Sequence, residues 1–289
     1  MESISTDQVS LTEIPVRRLH LGDLRDCLLL AIDRQWLPEE AKWRLLFEIG
    51  EAYGIDDPAG GLAGTVVLAR YGPGLAAVSM VLVASRYARM GLGRRLMLHA
   101  LEQARGATVF LTATRYGRGL YEKVGFETVG TVVTHTGNLA PRLEDLKDTG
   151  VRLAHRDDLE TIIALDAHAT GAPRTRLITR LFTFAERFRV AERDNVVVGF
   201  GAAWRNVDGV VVGPVIADGT GVAQGLIAEL ADGVHGQVRL DLDSRHAELT
   251  SWAVARGVSP AFSTALMVHG GPLPGRHDRL FAPVMLALG

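Results

Sequence analysis

Two glycines separated by one residue, Gly91 and Gly93, lie among the arginines Arg89, Arg94 and Arg95. Glycine lets the backbone turn tightly, and the first turn of a helix offers unpaired N–H groups and the positive end of the helix dipole. Cations in that turn are unfavourable unless an anion is bound beside them. This pattern therefore predicts a site for a cofactor that carries a diphosphate.

The segments on either side of the glycines predict a strand followed by a helix. Residues 78–84 are apolar, and Leu92, Leu96 and Ala100 recur at helical spacing. A dinucleotide-binding fingerprint would need a third glycine where Leu96 stands, and a Walker loop would need Gly-Lys-Ser/Thr, so neither motif is present. A glycine pair at such a turn can also be purely structural.

The same order of elements is repeated in the second half of the chain. Gly219 and Gly221 follow an apolar strand pattern and lie 128 positions after Gly91 and Gly93. A constant offset of this kind predicts a duplicated domain.

The boundary between the two copies is expected where glycine, proline and charged residues interrupt the apolar periodicity, within residues 137–150. We therefore predict an N-terminal domain of residues 1–140 and a C-terminal domain of residues 141–289.

Other patterns predict a mixture of strands and helices. In the first copy we predict strands at 14–19, 62–70, 75–84, 108–112 and, as two closing strands, around 126–134, with helices at 23–34, 39–52 and 116–123. In the second copy we predict strands at 196–203, 210–217 and 237–243, and helices from about 220 and at 245–256.

The composition excludes several classes of protein. A net charge of −2 over 289 residues gives no basic surface for nucleic acid. The N-terminus lacks the features of a secretory signal, and no apolar run is long enough to span a membrane, so we expect a cytoplasmic protein. The single cysteine, Cys27, lies among leucines and is expected to be buried rather than nucleophilic. No spacing of His and Cys predicts a metal site.

Downstream of the glycine loop, Tyr121 is followed by Gly125 and Phe126. The order of a strand, an arginine-rich glycine loop, a helix, a strand and this tyrosine resembles the GNAT superfamily of acyl-CoA-dependent N-acyltransferases. The loop departs from the family pattern at Ala88, where the family has Gln or Arg. In the second copy Ala253 stands at the position of Tyr121, so the chain resembles a tandem GNAT protein with a degenerate second copy.

The resemblance implies a fold class and a reaction. We expect an α/β (α+β) protein with two tandem GNAT-like domains, each a mixed, mostly antiparallel, splayed sheet flanked by helices. The implied activity is acyl transfer, with acetyl-CoA as co-substrate and no metal, to an amine by direct attack. The acceptor is left open among small amines, antibiotics, amino acids and protein N-termini or lysines.

The resemblance also implies roles for individual residues. The strand before the loop would pair with the pantetheine arm through Val81 and Val83, and the Val83 N–H is the candidate donor to the oxyanion. Tyr121 would donate its proton to the departing sulfur. The cofactor-binding residues are predicted to be Val81, Val83, Arg89, Met90, Gly91, Gly93, Arg94 and Arg95.

Two alternatives remain on the sequence alone. The chain could be a non-catalytic acyl-CoA sensor or interaction protein, as Ala88 and the lack of an identifiable base suggest. The second copy could also hold phosphate at residues 218–221. The acidic residues of the first half are expected to be solvated at the surface; these are Glu48, Glu51, Asp56 and Asp57.

Overall fold

The structure is a computed structural model that describes residues 13–147 and 149–289. The helices are α1 (Leu24–Asp33), α2 (Glu40–Ile49), α3 (Leu92–Gln103), α4 (Arg118–Lys123), α5 (Leu143–Leu146), α6 (Leu159–Thr170), α7 (Thr175–Phe184), α8 (Thr220–Ala231) and α9 (Ala247–Val254). Among the described residues, none of these helices is both long and apolar enough to cross a membrane.

The strands of the first copy are β1 (Val16–Arg18), β2 (Glu51–Asp56), β3 (Leu62–Tyr71), β4 (Leu75–Val83), β5 (Thr108–Ala113) and β6 (Glu127–Gly137). Those of the second copy are β7 (Val151–Leu153), β8 (Arg187–Arg193), β9 (Val196–Asn206), β10 (Gly209–Ala217), β11 (Gln237–Asp243) and β12 (Val258–His269), and β13 (Leu280–Ala282) follows them.

The predicted elements are confirmed with two corrections. The second helix was expected to run to residue 52, but it ends at Ile49, and Gly50 adopts an extended conformation. The next residues form β2, whose Tyr53 lies opposite Val66 of β3, so pairing with a buried strand overrides the helical pattern. The two closing strands expected around 126–134 are a single strand, β6.

The described chain divides into two compact units. The first contains residues 13–68 and 80–105, with β1, β2 and β3 paired antiparallel. Its buried side chains include Trp43 of α2, Ile55 of β2 and Leu96 of α3, all with essentially no exposed surface. The apolar faces of the helices are therefore buried in the way that their spacing predicts.

The second unit contains residues 69–79 and 106–289. Its strands lie in the order β5, β12, β6, β11, β10, β9, β8 and β7, and most neighbours are antiparallel. A large apolar core in this unit includes Leu226 and Ile227 of α8, Leu240 of β11 and Leu249 of α9. Antiparallel strands flanked by helices confirm the predicted fold class.

The last strand of each copy pairs with a strand of the other copy. Strand β12 of the second copy lies between β5 and β6 of the first, with Met267 opposite Leu111 and Thr264 opposite Val132. On the other side of β6, His135 lies opposite Leu240 of β11. The two sequence copies therefore share one run of hydrogen-bonded strands within the second unit.

Candidate functional site

The end of β4 has one face buried and one face partly open. Met80 and Leu82 are buried, whereas Val81 and Val83 are only half-buried. Met80 has a positive φ of 49°, which is rare for a residue with a side chain, and its carbonyl accepts a hydrogen bond of 2.9 Å from the Thr65 hydroxyl. Such a local twist of the backbone changes the direction in which the following side chains point. No glycine or proline marks this position, so the twist could not be predicted from the sequence.

The predicted glycine loop is an exposed turn that ends at the start of α3. Gly91 precedes the helix with φ 86°, and Arg89 has φ 64°. Both residues and Met90 are exposed, and Gly93 is half-buried in the first helical turn. The Arg95 N–H closes the first turn by donating to the Gly91 carbonyl at 3.1 Å, so the N–H groups before it have no partner within the helix. The start of α3 therefore leaves N–H groups without a partner in the helix, which is the arrangement that an anion site requires.

The arginines of the loop differ in their availability. Arg89 and Arg94 are exposed and have no ion-pair partner within the described chain. The Arg95 guanidinium instead donates to the carbonyl of Ile14, and Arg86 pairs with Asp57. Two cations of the loop are therefore available to an anion, while Arg95 and Arg86 have partners in the protein.

Asp57 holds the segment before the glycine loop in place through hydrogen bonds from Arg86 and Tyr87. Its carboxylate accepts hydrogen bonds from Arg86 Nε at 2.9 Å, from the Tyr87 hydroxyl at 2.9 Å and from the Ala59 N–H at 2.8 Å. Burial opposes the charged form, but these donors outweigh it and hold the pKa of Asp57 below its usual value. The expectation that Asp57 is solvated was wrong, because the side chain has no exposed surface. Asp57 positions the loop and is too strongly engaged to serve as a general base.

Tyr121 lies in α4, in the second unit, and its ring is buried. The ring contacts that of Phe126 edge to face at 6.1 Å, and a Cβ added at Gly117 would lie 2.9 Å from it. Gly125, with φ 92°, forms the turn between the tyrosine and Phe126. Burial raises the pKa of Tyr121 to about 12. The hydroxyl therefore remains protonated over the whole neutral range.

The second copy lacks the loop. Seven residues separate β4 from Gly91, whereas Asp218 alone separates β10 from Gly219 at the start of α8. The Asp218 carboxylate accepts a hydrogen bond from Arg279 at 2.8 Å. An acidic side chain at this helix start disfavours a second anion.

The place on β10 that corresponds to the open end of β4 is covered by the chain itself. The parallel register of β10 with β11 ends at Val212, and β13 then pairs with Val215 and Ile216. His246 fixes β13, since its Nε2 lies 2.9 Å from the Leu280 carbonyl oxygen and its ring stacks on Phe281 at 4.1 Å. The position of Tyr121 is taken by Ala253, which is fully buried.

Cys27 is buried as expected, and burial raises the pKa of its thiol to about 12. The described residues contain no group of three or more His, Cys, Asp or Glu side chains that could hold a metal ion.

Two family models match the chain. One described as the acetyltransferase (GNAT) family matches residues 23–126, and one described as an acetyltransferase (GNAT) domain matches residues 162–282. The chain therefore belongs to the GNAT superfamily of acetyltransferases and contains two GNAT domains, which confirms the resemblance found in the sequence.

Proteins similar to this chain match it over nearly its whole length. An uncharacterized N-acetyltransferase of Bacillus subtilis (strain 168), YitH, is 27% identical over 252 residues, which are 86% of this chain and 89% of that protein. A crystal structure assigned as an acetyltransferase from Pyrococcus horikoshii superposes with a TM-score of 0.80 at 20% identity and covers 96% of both chains. A tandem GNAT protein from the clavulanic acid biosynthesis pathway has a TM-score of 0.65 at 14% identity, over 90% of this chain and 99% of that chain. At 20% and 14% identity, these two structures show only that the chain has the same fold.

Proposed function

We propose that the first GNAT copy binds acetyl-CoA at the loop before α3 and transfers the acetyl group to a primary amine by direct attack. The observation that carries this proposal is the exposed turn at Gly91, where helix N–H groups and the side chains of Arg89 and Arg94 face no other anion in the described chain. A diphosphate supplies the negative charge that this arrangement lacks. Acetyl-CoA would supply the activated thioester.

The second copy supports a role for β4 in holding an extended ligand. There the chain's own β13 pairs with the end of β10, beyond the parallel register. The parallel register of β4 with β5 likewise ends early, at Ala77, although β4 continues to Val83. We infer that the backbone at Val81 and Val83 is a docking edge for the amide groups of the pantetheine arm, as a strand edge is for a peptide.

Each residue of this proposal has a defined chemical task. The Val83 N–H is the candidate donor to the carbonyl oxygen as negative charge develops there. When the neutral amine nitrogen bonds to the carbonyl carbon, the carbon–sulfur bond breaks, and the proton that the nitrogen loses passes to solvent water, from which the Tyr121 hydroxyl is restored after each turnover. Tyr121 is proposed to give its hydroxyl proton to the departing sulfur. A hydroxyl with a pKa near 12 is a weak acid, so its contribution is modest.

Replacing Tyr121 with phenylalanine is expected to lower kcat by about 10-fold to 100-fold, because the sulfur must then take its proton from water. The Kd of acetyl-CoA should not change. Because burial raises the pKa of Tyr121 to about 12, this residue should give no alkaline decline in the pH profile of kcat below about pH 11. Steady-state kinetics of thiol release measure both effects.

The matched control is Tyr116→Phe, since Tyr116 is 88% exposed in the same segment. It should retain full activity. Equal kcat values for Tyr121→Phe and the wild type would rule out the proton-donor role.

We also expect one acetyl-CoA per chain, because β13 and Asp218 occupy the second copy where a ligand would bind. Isothermal titration should give a stoichiometry of about one. Gly219→Val should leave the affinity for acetyl-CoA unchanged, since Gly219 lies in the second copy, where β13 pairs with the end of β10. A stoichiometry of two, or loss of binding in Gly219→Val, would place acetyl-CoA in the second copy.

The proposed function as a whole is tested by acetyl transfer to a panel of primary amines, followed by mass spectrometry. An acetylated product that forms more slowly with Tyr121→Phe than with the wild type would support the proposed acetyltransferase activity. Tight binding of acetyl-CoA without transfer to any amine would instead identify the acyl-CoA sensor, the alternative suggested by Ala88.

A further inference from the structure

Met80 has a positive φ of 49° near the end of β4, although it carries a side chain. A positive φ brings Cβ close to the backbone and costs free energy in such a residue. Residues of this kind persist only where the surrounding structure holds them, and they cluster at functional sites. Met80 is buried, so the group that holds its conformation must lie inside the protein.

Before Met80, the even-numbered residues of this strand face β5. The Gly74 carbonyl, one residue before β4 begins, accepts a hydrogen bond of 3.0 Å from the Thr108 N–H of β5. The N–H and C=O groups of one strand residue point to the same edge, and successive residues point to alternate edges. The pairing of Ala76 with Val109 continues the same register, so Ala76 also faces β5.

After Met80, the even-numbered residues face β3 instead. The Ala84 N–H donates a hydrogen bond of 2.9 Å to the Ala63 carbonyl of β3. The Leu82 carbonyl oxygen also faces β3, since it lies 2.9 Å from the place where a Cβ would stand on Gly64. The alternation of the strand is therefore reversed once on the way, which is the effect of a single residue with positive φ inside a strand.

The reversal at Met80 decides which edge Val81 and Val83 face. Because Leu82 faces β3, the alternation directs the N–H groups of Val81 and Val83 away from β3. Without the reversal, those two N–H groups would face β3 and pair with it. The positive φ of Met80 is therefore what leaves them open to a ligand.

Thr65 of β3 holds Met80 in this conformation. Its hydroxyl donates to the Met80 carbonyl at 2.9 Å, and the bond is buried. Thr65 itself has no exposed surface. A carbonyl that loses its donor in a buried position is costly, so this bond favours the positive φ over a conformation that turns the carbonyl away from Thr65.

We propose that Thr65 is a positioning residue for acetyl transfer. By holding the Met80 carbonyl, its hydroxyl keeps the Val83 N–H directed away from β3, where it can donate to the thioester oxygen as negative charge develops. The inference rests on the proposed function, in which the Val83 N–H is the candidate donor to the oxyanion. Thr65 acts through Met80 and does not itself contact the reacting atoms.

The test compares Thr65→Val, which removes the hydroxyl and keeps the branched shape, with Thr65→Ser, which keeps the hydroxyl. With the best acceptor of the amine panel, Thr65→Val should lower kcat by about 10-fold to 100-fold, and Thr65→Ser should stay within about 3-fold of the wild type. ADP carries the diphosphate without the pantetheine arm, so its Kd should stay within about 2-fold in both variants. Equal kcat values for Thr65→Val and the wild type would overturn the role of Thr65.

The matched control is Thr264→Val in β12. Thr264 is also a buried strand threonine, and its hydroxyl donates to the Val132 carbonyl of the neighbouring strand at 3.3 Å. Thr65→Val and Thr264→Val should lose similar thermal stability, because each loses one buried hydrogen bond. Only Thr65→Val should lose kcat, and equal losses of kcat in both variants would contradict a positioning role.

Gly64→Ala disturbs the same part of β4 without touching the hydroxyl, and it serves if Thr65→Val does not fold. The added Cβ would lie 2.9 Å from the Leu82 carbonyl oxygen, so this part of β4 must move. We expect kcat to fall by about 10-fold, with the Kd of ADP unchanged. Full activity of Gly64→Ala would show that the direction of this strand end does not matter for transfer.

Amide hydrogen exchange of the full-length protein without ligand tests how Thr65 acts. In the wild type, the Val83 N–H faces away from β3 and should exchange at least about 10-fold faster than the Ala84 N–H, which pairs with Ala63. Thr65→Val should reduce this difference, and Thr264→Val should not. An unchanged difference in Thr65→Val would show that Thr65 does not hold the conformation of Met80.

Failure of this inference can be distinguished from failure of the proposed function. If the wild type neither binds nor uses acetyl-CoA, the proposed function fails and the role of Thr65 in transfer fails with it. If the wild type is active and Thr65→Val is equally active, only the role of Thr65 is overturned.

Discussion

Gly91→Val is expected to lower the affinity for acetyl-CoA by about 100-fold or more, which corresponds to about 2.7 kcal/mol. Gly91 has φ 86°, a conformation that a β-branched residue adopts only under strain of about 1–3 kcal/mol. The turn would relax toward negative φ and rotate the N–H groups of the first helical turn away from the ligand. Isothermal titration measures the change.

Gly106→Val is the matched control for this substitution. Gly106 has φ 83°, and no atom lies within 4 Å of an added Cβ at either glycine, so backbone strain is the same and crowding is absent in both. Both variants should lose similar thermal stability, and Gly106→Val should retain acetyl-CoA binding. Equal affinities of the two variants would show that the loop does not hold the ligand.

The glycine loop could be predicted from the sequence because the residues that indicate it are neighbours in the sequence. Gly91 marks a positive φ, and the spacing of Leu92, Leu96 and Ala100 marks the buried face of α3, which the structure confirms. Periodicity and turn chemistry depend on neighbours in sequence, so they can be read without knowing the fold.

The sequence did not predict, or predicted wrongly, those features that depend on residues far away in the sequence. The positive φ of Met80 is associated with a hydrogen bond from Thr65, and the burial of Asp57 depends on donors from Arg86 and Tyr87. None of these three partners is close in sequence to the residue that it contacts. Two adjacent acidic residues, such as Asp56 and Asp57, otherwise have the pattern of a solvated turn.

Arg95 also has a partner that is distant in the sequence. Its position in the first helical turn predicted a phosphate partner, but its guanidinium donates to the backbone carbonyl of Ile14, at the far end of the first unit's sequence. Arg94, one residue earlier, projects to solvent. Helical spacing alone separates the two side chains by about 100°, so adjacent arginines cannot both face one ligand to the same extent.

The second copy differs from the first at the start of its helix and at the edge of its strand β10. Compared with the first copy, Asp218 stands before the helix start in place of the loop, and β13 pairs with the edge of β10. Each change stabilises the second copy in the absence of a ligand, because polar backbone groups are paired within the chain. The core beneath α8, with Leu226 and Ile227 fully buried, does not depend on the site.

The fragment of residues 1–140 is expected not to fold alone, although its end matches the predicted boundary between the sequence copies. It retains β5 and β6 but loses β12, which lies between them and pairs with both. Leu111 and Val132 would face water along two unpaired strand edges, a structure prone to aggregation. Size-exclusion chromatography should show aggregates, and urea should produce no cooperative transition.

Co-expression of residues 1–140 with residues 141–289 is the control. The second fragment supplies β11 and β12, so a stable complex that binds acetyl-CoA should form, with both fragments in equal amounts. A monomeric 1–140 fragment with a sharp urea transition would show that β5 and β6 can pair without β12. A complex that forms only from both fragments would show that the second copy has a structural role, because its last strand completes the pairing of β5 and β6.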